Sequence, residues 1–95
     1  MTLAEFKAAA KQFLADNAQL VYAELYAKLK AFLVAQAFGL SDADGAAKKA
    51  AVLSVVNGFI DAQFTGLWAF LAPIAKFLAG YAVEQLYLQL KPVGA

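Results

Sequence analysis

Histidine, cysteine and arginine are absent from this chain of 95 residues, and charged residues of either sign make up only 16% of it. Each absence removes chemistry. Without cysteine there is no disulfide framework and no thiolate, so the redox compartment stays open. Without histidine the chain lacks the side chain best suited to proton transfer near neutral pH. Without arginine there is no planar fork for bidentate phosphate contacts. The net charge is +1 and the eight basic residues, all lysine, are scattered. That balance argues against a nucleic-acid partner.

What is present is apolar and helix-forming. Hydrophobic residues make up 63% of the chain, a share swollen by alanine. Ala and Leu are strong helix formers, while Ile, Val and Thr are scarce. No segment alternates with period two between hairpin turn dipeptides. The fold class expected is all-α: one helical domain over 1–95, a compact bundle of four or five short helices with a Pro-kinked apolar C-terminal hairpin.

An N-terminal helical segment is expected over 1–38. Thr2 and Glu5 have capping-box spacing. Leu3, Phe6, Ala10, Phe13 and Leu14 follow on one face. A second stripe, Tyr22, Leu25, Tyr26, Leu29, Phe32 and Leu33, lies roughly 110° around the cylinder at 100° per residue. That phase shift predicts a break near 17, with Asn17 as an N-cap. Gly39 reads as the residue just past a helix end. The loop 39–45 offers Ser41 or Asp44 as the next cap.

The apolar C-terminal helices are expected over 46–91. Val52, Leu53, Val55, Val56, Phe59 and Ile60 form a broad face on the first, with Ser54, Asn57, Gly58 and Asp61 as a narrow polar or small stripe. A turn follows at 63–66. Pro73 fits the first position of a last helix running to about Leu90. Residues 92–95 read as a frayed tail.

Candidate chemistry is thin. Asp42-Ala43-Asp44-Gly45 has the start of a calcium loop, but a third oxygen ligand and the closing Glu are missing, so helix capping is expected and no metal site. Ser54, Asn57 and Asp61 share a helix face. Asp61 is roughly 10 Å along the axis from Ser54, too far to take its proton. The stripe of Tyr22, Tyr26, Leu29 and Leu33 reads as core. No catalytic residue and no cofactor is expected.

The charge distribution says more. From Ala50 to Val83 the only charged residues are Asp61 and Lys76. They are a candidate polar contact, although a simple hairpin turning at Thr65 would put Asp61 opposite about Ala69. Lys76 would meet it only if the break at Pro73 shifts the register. Phe59, Ile60, Leu67, Trp68, Leu71, Phe77 and Leu78 are expected in the core or in a subunit contact. Phe64 to Val83 has the length of a membrane span, but Lys76 inside it would cost about 2.5–3.5 kcal/mol near the bilayer centre.

The function expected is therefore a non-enzymatic helix-packing protein. It would associate with itself or with other helical subunits, as a small structural component of a larger, virus-like assembly does. One alternative is a small membrane-active, holin-like protein using residues 50–83, with a membrane as partner. Another is a designed or ligand-binding bundle with an apolar cavity. The N-terminus has no basic stretch leading into an apolar run, so a location inside the cell or within an assembly is expected.

Overall fold

A computed structural model describes residues 1–90, which form four α-helices and one 3₁₀ helix, with no strand among them. The all-α expectation holds. Lys91 and the tail expected at 92–95 lie outside the described residues.

Helix α1 (Leu3–Asp16) starts on its own capping box. Thr2 Oγ1 accepts the Glu5 N–H at 3.3 Å, and Glu5 Oε1 accepts the Thr2 N–H at 3.2 Å. A distant residue adds a third acceptor: Asp42 Oδ2 takes the Leu3 N–H at 3.3 Å. The helix ends at Asn17, which corrects the expectation of an N-cap there. The Asn17 backbone N–H and its Nδ2 both donate to the Phe13 carbonyl, at 3.1 and 2.9 Å. An asparagine amide can serve either helix end, through its oxygen or its nitrogen, and here the nitrogen closes α1.

Helix α2 (Tyr22–Ala37) follows, with Val21 before it and no side-chain cap. Its far end does not use Gly39 in the left-handed region; Gly66 is the residue with positive φ among those described. The chain leaves α2 through tight three-residue closures instead, Gly39 N–H to the Gln36 carbonyl at 2.9 Å and Leu40 N–H to the Ala37 carbonyl at 3.1 Å.

The loop that follows ties two helix starts together. Ser41 donates to the Met1 carbonyl from both its N–H and its hydroxyl, at 2.9 and 3.1 Å. Asp42 caps α1 as described above. Asp44 caps α3 (Gly45–Gln63), accepting the Ala47 N–H at 2.8 Å. Carboxylates suit these positive helix ends.

Gly66, at φ 61°, turns the chain after α3. A 3₁₀ helix covers Gly66–Leu71, and α4 runs over Ala72–Leu90. Pro73 lies in the first turn of α4, where its missing N–H costs no helical bond. Ala72 is already helical, against the preference of a residue preceding proline. The helix start expected at Pro73 falls instead at Ala72, directly after the 3₁₀ helix, and α4 runs through Pro73 without interruption. With this extra segment in the connection, Asp61 pairs with Lys76.

The core is apolar throughout, with no buried polar or charged residue among those described. Helix α2 supplies Leu29, Leu33 and Val34, and α3 supplies Val52, Val56 and Ile60, all fully buried. Phe13 of α1 stacks on Phe32 of α2 at 4.4 Å between ring centres. Phe38, just after α2, stacks on Tyr87 of α4 at 5.0 Å.

Candidate interaction surface

Helix α4 is packed with its small side inward. Its buried residues are Ala72, Ala79, Val83 and Tyr87, whereas Ile74, Phe77, Leu78, Tyr81 and Leu88 are exposed. At 100° per residue the two sets occupy opposite sides of one cylinder. Alanines let the helix backbone come close to α2 and α3, and that choice turns the large side chains to the outside. The 3₁₀ helix continues the stripe with Leu67, Trp68 and Phe70, also exposed.

Of the seven residues expected in the core or in a subunit contact, Phe59 and Ile60 are buried in this chain's own core and Leu71 is half-buried. Leu67, Trp68, Phe77 and Leu78 are not in that core; Leu67 is 91% exposed and Phe77 is 77% exposed. Phe70, Ile74, Tyr81 and Leu88 belong to the same surface and were not singled out from the sequence. Their spacing, with Phe77, of three, four and seven residues is the signal that could have found them.

The patch is large. Trp68, Phe70, Phe77 and Tyr81 are each 63–77% exposed. Aromatic side chains present roughly 150–250 Å² each, so these four leave on the order of 500 Å² open. Leu67, Ile74, Leu78 and Leu88 bring the total to about 800 Å², taking the area from their transfer energies. The largest apolar patch on a typical monomer is about 300–600 Å².

The edge of the patch carries charge that is already matched. Lys76 Nζ lies 2.7 Å from Asp61 Oδ1, and Lys49 Nζ lies 3.6 Å from Glu84 Oε1. Between these pairs runs a groove of about 440 Å³, bordered by Leu53, Lys76, Phe77, Gly80, Tyr81 and Glu84.

Elsewhere the candidate chemistry dissolves into structure. Asp42 and Asp44 both serve backbone N–H groups, and no cluster of three metal-ligating side chains occurs among the described residues. Ser54 is exposed, Asp61 is paired with Lys76, and the buried Asn57 Oδ1 has no hydrogen-bond partner. Leu29 and Leu33 are core, while Tyr22 and Tyr26 stack on Phe59 at 5.6 and 6.4 Å. Burial in this stack raises both phenol pKa values, and for Tyr26 the charge of an ionised Tyr22 adds to the shift. Lys30 Nζ sits 4.4 Å from the Tyr26 ring centre, and burial lowers its pKa.

The stretch Gly66–Leu90 is long and apolar enough to cross a membrane, with a mean hydropathy of 1.5 over its most apolar window, of which 17% is buried. Compared with protein families, curated proteins and solved structures, the chain matches none.

Proposed function

We propose that this chain is a non-enzymatic helix-packing protein that associates with itself, the exposed face of the 3₁₀ helix and α4 being covered by the same face of a second copy. The observation that carries this reading is the orientation of α4, which buries Ala72, Ala79 and Val83 and exposes Phe77, Leu78 and Tyr81. An exposed area of about 800 Å² is what each partner contributes to a stable interface of standard size. The ion pairs at its edge allow covering without stranding an unpaired charge. A structural subunit of a larger assembly is the same reading carried beyond two copies.

The apolar length of Gly66–Leu90 favours a second reading, in which lipid covers the face. The bundle speaks against it. Helix α4 packs on α2 and α3, which carry Lys28, Lys30, Lys48 and Lys49, so spanning a bilayer would require dismantling the core. A helix lying on a membrane surface gains from a rim of unpaired basic residues. Among the described residues, the lysines at the edge of this face, Lys49 and Lys76, are engaged with acids.

The test is sedimentation without detergent, together with flotation on liposomes, for the wild type and Lys76→Leu. Self-association predicts a soluble dimer or larger oligomer, and flotation that the substitution does not increase. Wild-type protein that floats with lipid, resists high salt, and floats better as Lys76→Leu would replace this reading with the membrane one.

A further inference from the structure

Gly80 lies in the interior of a 19-residue helix, where glycine is the poorest helix former after proline. Nothing among the described residues accounts for it. Its φ is not positive, and apart from its own turn of helix a Cβ added there would meet no atom within 4 Å. The residue is therefore not fitted to a neighbour in its own bundle. It forms the floor of the groove between α3 and α4, with Phe77 and Tyr81 rising beside it and Leu53 opposite. A helix surface lowered at one residue beside exposed aromatics accepts a side chain or a backbone from outside.

The ends of this groove carry opposite charges, Lys76 one turn before Gly80 and Glu84 one turn after it. A second copy laid parallel would set lysine against lysine and glutamate against glutamate. Laid antiparallel about a two-fold axis, it sets Lys76 against the partner's Glu84, and the partner's Lys76 against Glu84. Each of these charges already has an intrachain partner, so the antiparallel arrangement extends two pairs into alternating chains of four charges. The two-fold repeats every contact, so a Phe77 that enters the opposite groove is matched by its counterpart entering this one.

From the groove, the unexplained glycine and the polarity of the charges, we infer that two copies join through α4 in antiparallel orientation, with the two-fold axis beside Gly80. This inference rests on the self-association reading and fixes the geometry of the part of that contact nearest the groove, where Phe77, Tyr81 and Leu88 lie.

The absence of cysteine makes the geometry directly testable, because an introduced thiol is unique in each chain. A disulfide needs Cα atoms within about 7 Å. In the antiparallel pair Gly80→Cys meets its own copy across the axis. Ile74→Cys and Leu88→Cys lie six and eight residues from the axis, so their copies are separated by about 18 Å and about 24 Å at 1.5 Å per residue. On mild oxidation Gly80→Cys should form a covalent dimer while the other two remain uncrosslinked. In addition Gly80→Leu, which fills the groove and improves helix propensity, should weaken association by about tenfold or more without loss of helicity. Sedimentation of the wild type separates the two levels. A monomeric wild type overturns the self-association reading and this inference with it. A dimeric wild type whose Gly80→Cys variant stays uncrosslinked, or whose Ile74→Cys and Leu88→Cys variants crosslink as readily, overturns the antiparallel geometry alone. Unchanged association in Gly80→Leu would do the same.

Discussion

Lys76 Nζ and Asp61 Oδ1 are 2.7 Å apart, joining the two charges of the otherwise uncharged segment Ala50–Val83. They are fifteen residues apart in sequence and meet because the 3₁₀ helix Gly66–Leu71 lengthens the connection between α3 and α4. The contact makes the apolar face electrically neutral at its edge. In the isolated chain Lys76 is half-buried, at 35% exposed, and Asp61 is 57% exposed, so water screens the pair and it contributes little there. Its role lies in what covers the face.

That difference is measurable. Asp61→Asn should change the unfolding free energy of dilute, monomeric protein by less than about 1 kcal/mol. The same substitution should weaken association, because the chain of charges Lys76, the partner's Glu84 and the partner's Lys49 then carries one uncompensated positive charge beside a covered surface. Asp61→Asn combined with Lys76→Met should recover the association. Equilibrium sedimentation of the two variants checks this. Equal affinities for the single and double variants would show that the pair lies outside the contact.

Gly66 makes the opposite demand from Gly80. Its φ of 61° lies in the left-handed region, and a Cβ there has open space but the wrong backbone. Gly66→Ala should therefore destabilise the fold by about 1–2 kcal/mol. Gly80→Ala should stabilise the isolated monomer by about 0.5–1 kcal/mol. Urea unfolding of both variants at low protein concentration reads the two signs. A neutral Gly66→Ala would mean that the turn has another conformation.

Much of the fold could be read from local chemistry. Ala and Leu content gave the class, the Thr2–Glu5 spacing gave the first cap, and the loop offered Ser41 or Asp44 as a cap for α3, a role the structure gives to Asp44. Asn17 could not be resolved in the same way, because its side chain satisfies either helix end and only the observed bond to Phe13 decides. The orientation of α4 was hidden for a different reason. Its apolar residues surround the whole cylinder, so periodicity marks no single inward face. The choice is made by close approach at Ala72 and Ala79, a packing fact between distant segments. The Asp61–Lys76 contact depended likewise on the helix type of Gly66–Leu71, which residue content alone does not set.

The aromatic stack sets a sign for alkaline pH. Burial holds the Tyr22 and Tyr26 phenols above their ordinary value of 10.0. The folded state therefore keeps these protons more tightly than the unfolded one. The associated stability is fully present below the unfolded pKa and is lost as pH rises through the folded values. Lys30 acts oppositely, since burial lowers its pKa from 10.5 and folding is relieved as it deprotonates. Urea midpoints followed from about pH 8 to about pH 12 should fall. The fall should flatten in Tyr22→Phe/Tyr26→Phe and steepen in Lys30→Gln. An unaltered profile in the double Phe variant would show that these phenols are solvated.

The sharpest division is between two phenylalanines of the C-terminal half. Phe59 is 8% exposed and stacks with Tyr22, whereas Phe77 stands open to solvent on the outer face of α4. Truncating a packed phenylalanine removes its transfer energy and leaves a cavity, so Phe59→Ala should cost roughly 3–5 kcal/mol of monomer stability. Phe77→Ala removes no packed contact from the monomer and should cost less than about 0.5 kcal/mol there, as surface positions do. Association should respond in the reverse order of directness. Phe77→Ala should weaken it while the helical content stays intact, and Phe59→Ala should weaken it only as far as the fold itself is lost. Circular dichroism, urea unfolding and sedimentation on the two variants separate these effects. A Phe77→Ala variant that loses monomer stability as Phe59→Ala does would mean that α4 packs with its large side inward, and the outward face on which self-association rests would no longer exist.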